Sequence, residues 1–190
     1  GGHPFLRGNR LQAIGNLMKQ GVGLGCLHYA VEPTKQKGEK EFLDWIGGCF
    51  ETDWSVNPTW RPQFQPLPTH AITRGVSPPN LNDEWYFHMR FRDGMKGVQP
   101  ILQAVAPAST MNRPDGPHEG NPTVREEVKR GEPQIVAWAC ERPDGGRGFG
   151  FTGGHFQGNW GNDDFRKLVL NAILWTAKVE VPASGVECKV

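Results

Sequence analysis

Apolar residues along this chain switch between a helical period and short continuous runs. Leu11, Ile14, Leu17 and Met18 recur at helical spacing within residues 9–20, which predicts an amphipathic helix with Asn9 as N-cap and Gly21 as its stop. Val22 to His28 follows at once as an apolar run, the pattern of a buried strand. A helix joined to a strand by one glycine reads as a crossover unit of a parallel sheet. Residues 31–40 are polar and lysine-rich, a solvated loop, and residues 40–47 suit a short amphipathic helix. From Thr52 to Pro79 the chain is rich in proline and tryptophan, so turns are expected.

Residues 84–91 have the aromatic content of a strand, and residues 98–106 read as another, with Pro100 near its start. Residues 107–133 form a long polar insertion, of a length that in a compact domain is usually functional or mobile. Two apolar runs, 134–140 and 147–152, flank Pro143-Asp-Gly-Gly146 and predict a hairpin. Phe165, Leu168, Val169, Ala172, Ile173 and Trp175 supply one face of a last helix over residues 163–177, capped by Asn162 or Asp163. The whole reads as one α/β domain over residues 1–190, a sheet with helices on both faces. Only one crossover helix precedes the strand taken as central, so at least one further βα unit is expected upstream.

Composition narrows the choice of partners. With 21 basic against 20 acidic residues the formal charge is +1, which gives no electrostatic reason to expect nucleic acid or an anionic membrane. No apolar run is long enough to span a bilayer, and a soluble protein is expected. The chain opens without an initiating methionine, so no targeting signal can be read from it. Its 25 glycines and 16 prolines are scattered among apolar residues, as in a packed core with many tight loops. Trp54, Trp60, Trp85 and Trp160 lie in loop-like contexts, where they line a pocket or pack a core. The four cysteines are widely spaced with no C-x-x-C pair, which argues for buried thiols over a zinc ribbon or a disulfide framework.

The candidate chemistry sits where strands end. His28 closes the first predicted strand, and His155 follows the hairpin in Thr152-Gly-Gly-His155. In open α/β sheets ligands bind beyond the carboxyl ends of strands, so the two histidines can share one pocket or simply tie down their loops. Asp83 and Glu84, beside Trp85 and Tyr86, suit acid/base work or hydrogen bonding to sugar hydroxyls; the plain alternative is a turn before a strand. His28, His155 and Glu84 also make a possible two-histidine, one-carboxylate site for a divalent metal, although no local H-x-x-x-H signature is present. His70, His88 and His118 are weaker candidates, lying in a turn, an aromatic strand and the long insertion. Cys26 falls inside the strand, and its Gly-Leu-Gly-Cys-Leu-His context lacks the closing glycine of a nucleophile elbow, so a structural thiol is expected.

Taken in order, Gly21-Val-Gly-Leu-Gly-Cys-Leu-His28, His70-Ala-Ile-Thr-Arg-Gly75, Asn82-Asp-Glu-Trp-Tyr86, Val136-Ala-Trp-Ala139, Gly146 to His155 and Phe165 to Trp175 resemble the trehalose-utilisation (ThuA-like) family. The resemblance implies a flavodoxin-like, class I glutamine amidotransferase-like three-layer sandwich, here without its first βα units. It implies that His28 and His155 lie at the position of the amidotransferase centre, with Asp83, Glu84 and Tyr86 beside them and Trp85 and Trp160 available to a ligand. The missing cysteine elbow, and Phe156-Gln157 in place of Pro-Glu, speak against glutamine hydrolysis. Two functions follow as expectations. One is an enzyme acting on trehalose, related glycosides or their oxidised forms; the other is a non-catalytic module binding a small carbohydrate within a larger protein.

Overall fold

The computed structural model describes residues 3–188. Its helices are α1 (Arg10–Met18), α2 (Glu39–Trp45), α3 (Pro122–Lys129) and α4 (Asp163–Thr176). The strands are β1 (Leu24–Leu27), β2 (Gly48–Cys49), β3 (Thr59–Trp60), β4 (Asp83–Glu84), β5 (Arg90–Phe91), β6 (Val98–Val105), β7 (Pro133–Glu141) and β8 (Arg147–Phe151). One four-stranded sheet runs in the order β1-β8-β7-β6. β1 lies parallel to β8, from Leu24 opposite Gly148 to Leu27 opposite Phe151. The β8–β7 and β7–β6 pairings are antiparallel, so the sheet is mixed. The short strands β2 and β5 pair with each other, as do β3 and β4.

The sequence of β8, Arg-Gly-Phe-Gly-Phe, explains how the layers pack. Side chains alternate across a strand, so both phenylalanines face one way and both glycines the other. Phe149 and Phe151 join Phe165, Leu168, Val169, Ala172 and Trp175 of α4 in one buried core. On the glycine side a Cβ at Gly148 would lie 2.5 Å from the Ile46 Cα, and one at Gly150 would lie 2.1 Å from the Trp138 ring. The missing side chains thus let the end of α2 and the Trp138 indole press directly on the sheet. Trp138 is fully buried, and its indole N–H donates to the Ile46 carbonyl at 2.7 Å. Met18 of α1, Phe42 and Trp45 of α2, and Cys26 complete this second core. The result is a three-layer α/β fold, with helices on both faces of the sheet.

Several sequence expectations hold in detail. Gly21 ends the α1 region in the left-handed conformation, φ 75°. The Asn162 side chain accepts from the Phe165 N–H and caps α4. Arg142 and Gly145–Gly146 close the β7–β8 hairpin as expected. Pro100 lies in β6, the outer strand of the sheet, at a register shift, as a residue without an N–H requires.

Others are corrected. Asn9 makes no side-chain capping bond to α1. The strand expected over residues 84–91 is two two-residue strands separated by irregular chain. Trp85 and Phe87 are buried in the α4-side core while Tyr86 and Met89 enter the other, so the segment threads between both cores. His88, at φ 54°, then breaks any extended run. The long insertion holds α3, with Val124 and Val128 buried and Asn121 capping it, because residues 122–129 carry their apolar groups four apart. Arg125 anchors the preceding loop through Asp115 and the Met111 and Arg113 carbonyls. No helix among the described residues is long and apolar enough to cross a membrane.

Candidate functional site

His28 is the first residue past β1. Its backbone turns at φ 49°, in the left-handed region that is costly for a residue with a Cβ. Its ring Nδ1 lies 2.8 Å from the carbonyl oxygen of Thr152, which follows the neighbouring strand β8. Because a carbonyl only accepts, this contact places a proton on Nδ1 and turns Nε2 toward the site. The Thr152 hydroxyl in turn donates to the Tyr86 carbonyl at 2.9 Å, joining the ends of β1 and β8 to the β4 region.

His155 arrives by a different route. Its loop, Gly153 to Phe156, wraps around the fully buried carboxylate of Asp83. That carboxylate accepts main-chain N–H groups from Gly154 at 2.9 Å, His155 at 3.0 Å and Phe156 at 3.3 Å. The Asn159 side-chain amide and the Glu84 N–H supply two more donors, at 2.9 and 2.8 Å. Five donors on one buried carboxylate satisfy it fully, as burial of a charge demands.

Glu84, the residue after this anchor, enters between the two rings. Its Oε2 stands 3.3 Å from His28 Nε2 and 2.9 Å from His155 Nδ1. The two ring nitrogens are themselves 3.1 Å apart, and the Tyr86 hydroxyl lies 3.0 Å from His28 Nε2. The other Glu84 oxygen accepts from the Asn57 amide at 3.0 Å, and Arg113 holds the Asn57 carbonyl oxygen at 3.0 Å. His28, Glu84 and His155 therefore present three donor atoms within 4.8 Å of one another, a set able to hold a metal ion. The His155 side chain is 49% exposed against 17% for His28 and 19% for Glu84, so the cluster opens to solvent on the His155 side.

Burial pulls the His28 imidazole down, but the hydrogen bonds it donates to Glu84 and to the Thr152 carbonyl, with the charges of Glu84 and Asp83, outweigh it and raise its pKa. Burial, together with the nearby Glu84 charge, pushes the Tyr86 phenol up, so it stays protonated and donates. Cys26 is buried, and burial pushes its thiol up to about 12, away from the reactive thiolate form.

The predicted residues thus divide. His28, Glu84, His155 and Tyr86 meet. Asp83 sits beneath them, with no surface for a ligand, because its acceptor capacity goes to the His155 loop, the Asn159 amide and the Glu84 N–H. Trp85 is wholly buried, its indole N–H donating to the Leu81 carbonyl at 3.1 Å, so it packs the core and does not line a pocket. Trp160 is partly buried against Phe165, with ring centres 4.9 Å apart, and supports the loop at Gly154. Among the weaker histidines, His70 caps a turn by accepting from the Ile72 N–H, and His88 is buried between the Trp54 ring and Glu127. His118 pairs with Glu32 and stacks on Phe50. Sequence reasoning missed Asn57 and Arg113, which lie in turn-rich segments with no local motif, and Thr152, whose place just before Gly-Gly-His was a usable signal. A concavity of about 810 Å³ lies elsewhere, between α1 and α2, but holds no histidine among its lining residues.

Comparison with known proteins identifies the family and the fold. The family model for ThuA, described as trehalose utilisation, matches residues 5–176. The chain belongs to the ThuA family. A crystal structure of a ThuA-like protein from Bacteroides uniformis shares its fold, with a TM-score of 0.61 at 16% identity, covering 95% of this chain and 68% of that one. No curated protein matches. The family match spans α1 through α4, and with them every residue of the His28 cluster.

Proposed function

We propose that this ThuA-family chain is an enzyme acting on trehalose, related glycosides or their oxidised derivatives, with His28, His155 and Glu84 as its working groups. The observation that carries the reading is the convergence of two imidazoles, one carboxylate and one phenol beyond the ends of the parallel pair β1 and β8. Proton transfer needs a basic nitrogen held toward the ligand, and the Thr152 carbonyl orients His28 for that task. Glu84, between the rings, stabilises the imidazolium that forms, and the half-exposed His155 reaches the bound molecule. Tyr29 and Phe156 follow the two histidines in sequence and are 45% and 39% exposed. Such rings suit the apolar faces of sugars, and they take the part first expected of Trp85.

Turnover of a panel of trehalose, related glycosides and keto-glycosides by the full chain tests the reading. Replacing both His28 and His155 with alanine is expected to lower turnover by about 100-fold or more. Unchanged turnover in the double variant overturns it. The exposed Tyr29 and Phe156 also favour a second reading, a non-catalytic module for a small carbohydrate. Glycan binding that survives the double substitution, with no turnover of any panel member, selects that reading instead.

A further inference from the structure

We propose that His28, Glu84 and His155 form a binding site for one divalent transition ion of the zinc class, with a fourth position open beside the Tyr86 hydroxyl. The inference deepens the enzymatic reading and rests on the same site.

Distances are the first argument. Zinc bonds to imidazole nitrogen and carboxylate oxygen are about 2.0–2.2 Å, so tetrahedral ligand atoms lie roughly 3.3–3.5 Å from one another. The three candidate atoms are 2.9, 3.1 and 3.3 Å apart, an arrangement that needs to widen by only a few tenths of an ångström.

Proton accounting is the second. With Nδ1 of His28 donating to the Thr152 carbonyl, the neutral ring offers only a lone pair at Nε2. Around that nitrogen stand a carboxylate oxygen of Glu84 at 3.3 Å, His155 Nδ1 at 3.1 Å and the Tyr86 hydroxyl at 3.0 Å, so two further ligand atoms already converge on the point it faces. One cation would be shared by all three ligand atoms.

The supporting contacts are the third. Liganding histidines characteristically donate their other ring nitrogen to a carbonyl or carboxylate, and liganding carboxylates are themselves hydrogen-bonded. Here His28 has Thr152, Glu84 has Asn57 backed by Arg113, and the His155 backbone has Asp83. Two imidazoles in the set favour zinc or a neighbouring transition ion over magnesium or calcium. The other histidine–carboxylate pairs, His88–Glu127 and His118–Glu32, contribute one histidine and one carboxylate each and form no such triad among the described residues.

The test uses the untagged full chain, stripped with a chelator and titrated with Zn²⁺, Co²⁺ and Mg²⁺ by calorimetry, with metal analysis after dialysis and circular dichroism to check folding. The expected result is one Zn²⁺ or Co²⁺ per chain, a visible Co²⁺ spectrum of low coordination number, and no Mg²⁺ uptake. Asn57→Ala should weaken Zn²⁺ binding about 10-fold, and His28→Ala or His155→Ala by more. Glu84→Gln, which keeps the size of the side chain, serves where a histidine variant fails to fold. Absence of stoichiometric uptake by the folded chain, or uptake unchanged in these variants, overturns the proposal. The readout needs no substrate. Failure to bind metal therefore leaves metal-free proton transfer intact, and metal binding without turnover counts against the enzymatic reading alone.

Discussion

The buried carboxylate of Asp83 accepts the main-chain N–H of His155 at 3.0 Å. Through this bond and its neighbours, a residue with no access to ligand decides where the most exposed member of the site stands. Asp83→Asn should therefore do damage out of proportion to its size. Either orientation of the new amide points an NH₂ group at two or more N–H donors. The expected cost is about 3 kcal/mol, read as a shift in the urea midpoint. Glycoside turnover should fall further than the unfolded fraction explains, because the loop carrying His155 is released.

Gly153 tests the same loop from the other side. A Cβ there would lie 2.5 Å from the Trp85 ring, which has no room to retreat in a fully buried core. Gly153→Ala is expected to destabilise by about 1–3 kcal/mol. A thermal melt of the variant measures it, and a wild-type midpoint would show that Trp85 can move.

Stability should also fall in acid through a carboxylate that is not part of the His28 cluster. Burial pushes the Glu51 carboxyl up, but hydrogen bonds and charge from Arg90 and Lys35 outweigh it and hold its pKa below the usual carboxylate range. A depressed folded pKa means that this contribution is complete above the unfolded value of about 4.3 and is lost as pH drops through the folded one. Denaturation midpoints of the parent and Glu51→Gln proteins should therefore converge as the solution is acidified below about pH 4. A constant gap between the two curves contradicts the assignment.

Cysteine reactivity offers a simple check of the cores. Cys26, Cys49 and Cys140 are buried, and burial raises the pKa of each thiol. Cys188 is partly exposed near the end of the chain. A thiol reagent should modify one cysteine in the native protein and four after denaturation, with mass spectrometry placing the first label on Cys188. Native labelling of Cys26 would revive the nucleophile that its burial removes.

Local pattern by itself determined the helices α1, α2 and α4, the β7–β8 hairpin, and the presence of histidines just after β1 and β8. Those features depend on periodicity and turn chemistry within a dozen residues, which a single stretch of sequence carries in full. Pattern failed at residues 84–91, where aromatic content suggested a strand. A residue enclosed by two cores looks the same in sequence as one on a pleated surface, and only packing separates them. Trp85 and Asp83 were misjudged for a related reason: their neighbours in the chain said nothing of the 0% exposure that folding imposes on both. The site itself is a tertiary product. His28, Asn57, Glu84, Arg113 and His155 come from five distant segments, and no spacing rule links them. Their approach to within hydrogen-bonding distance follows from the β1–β8 register, the Asp83 anchor and the packing that holds β4 beside them.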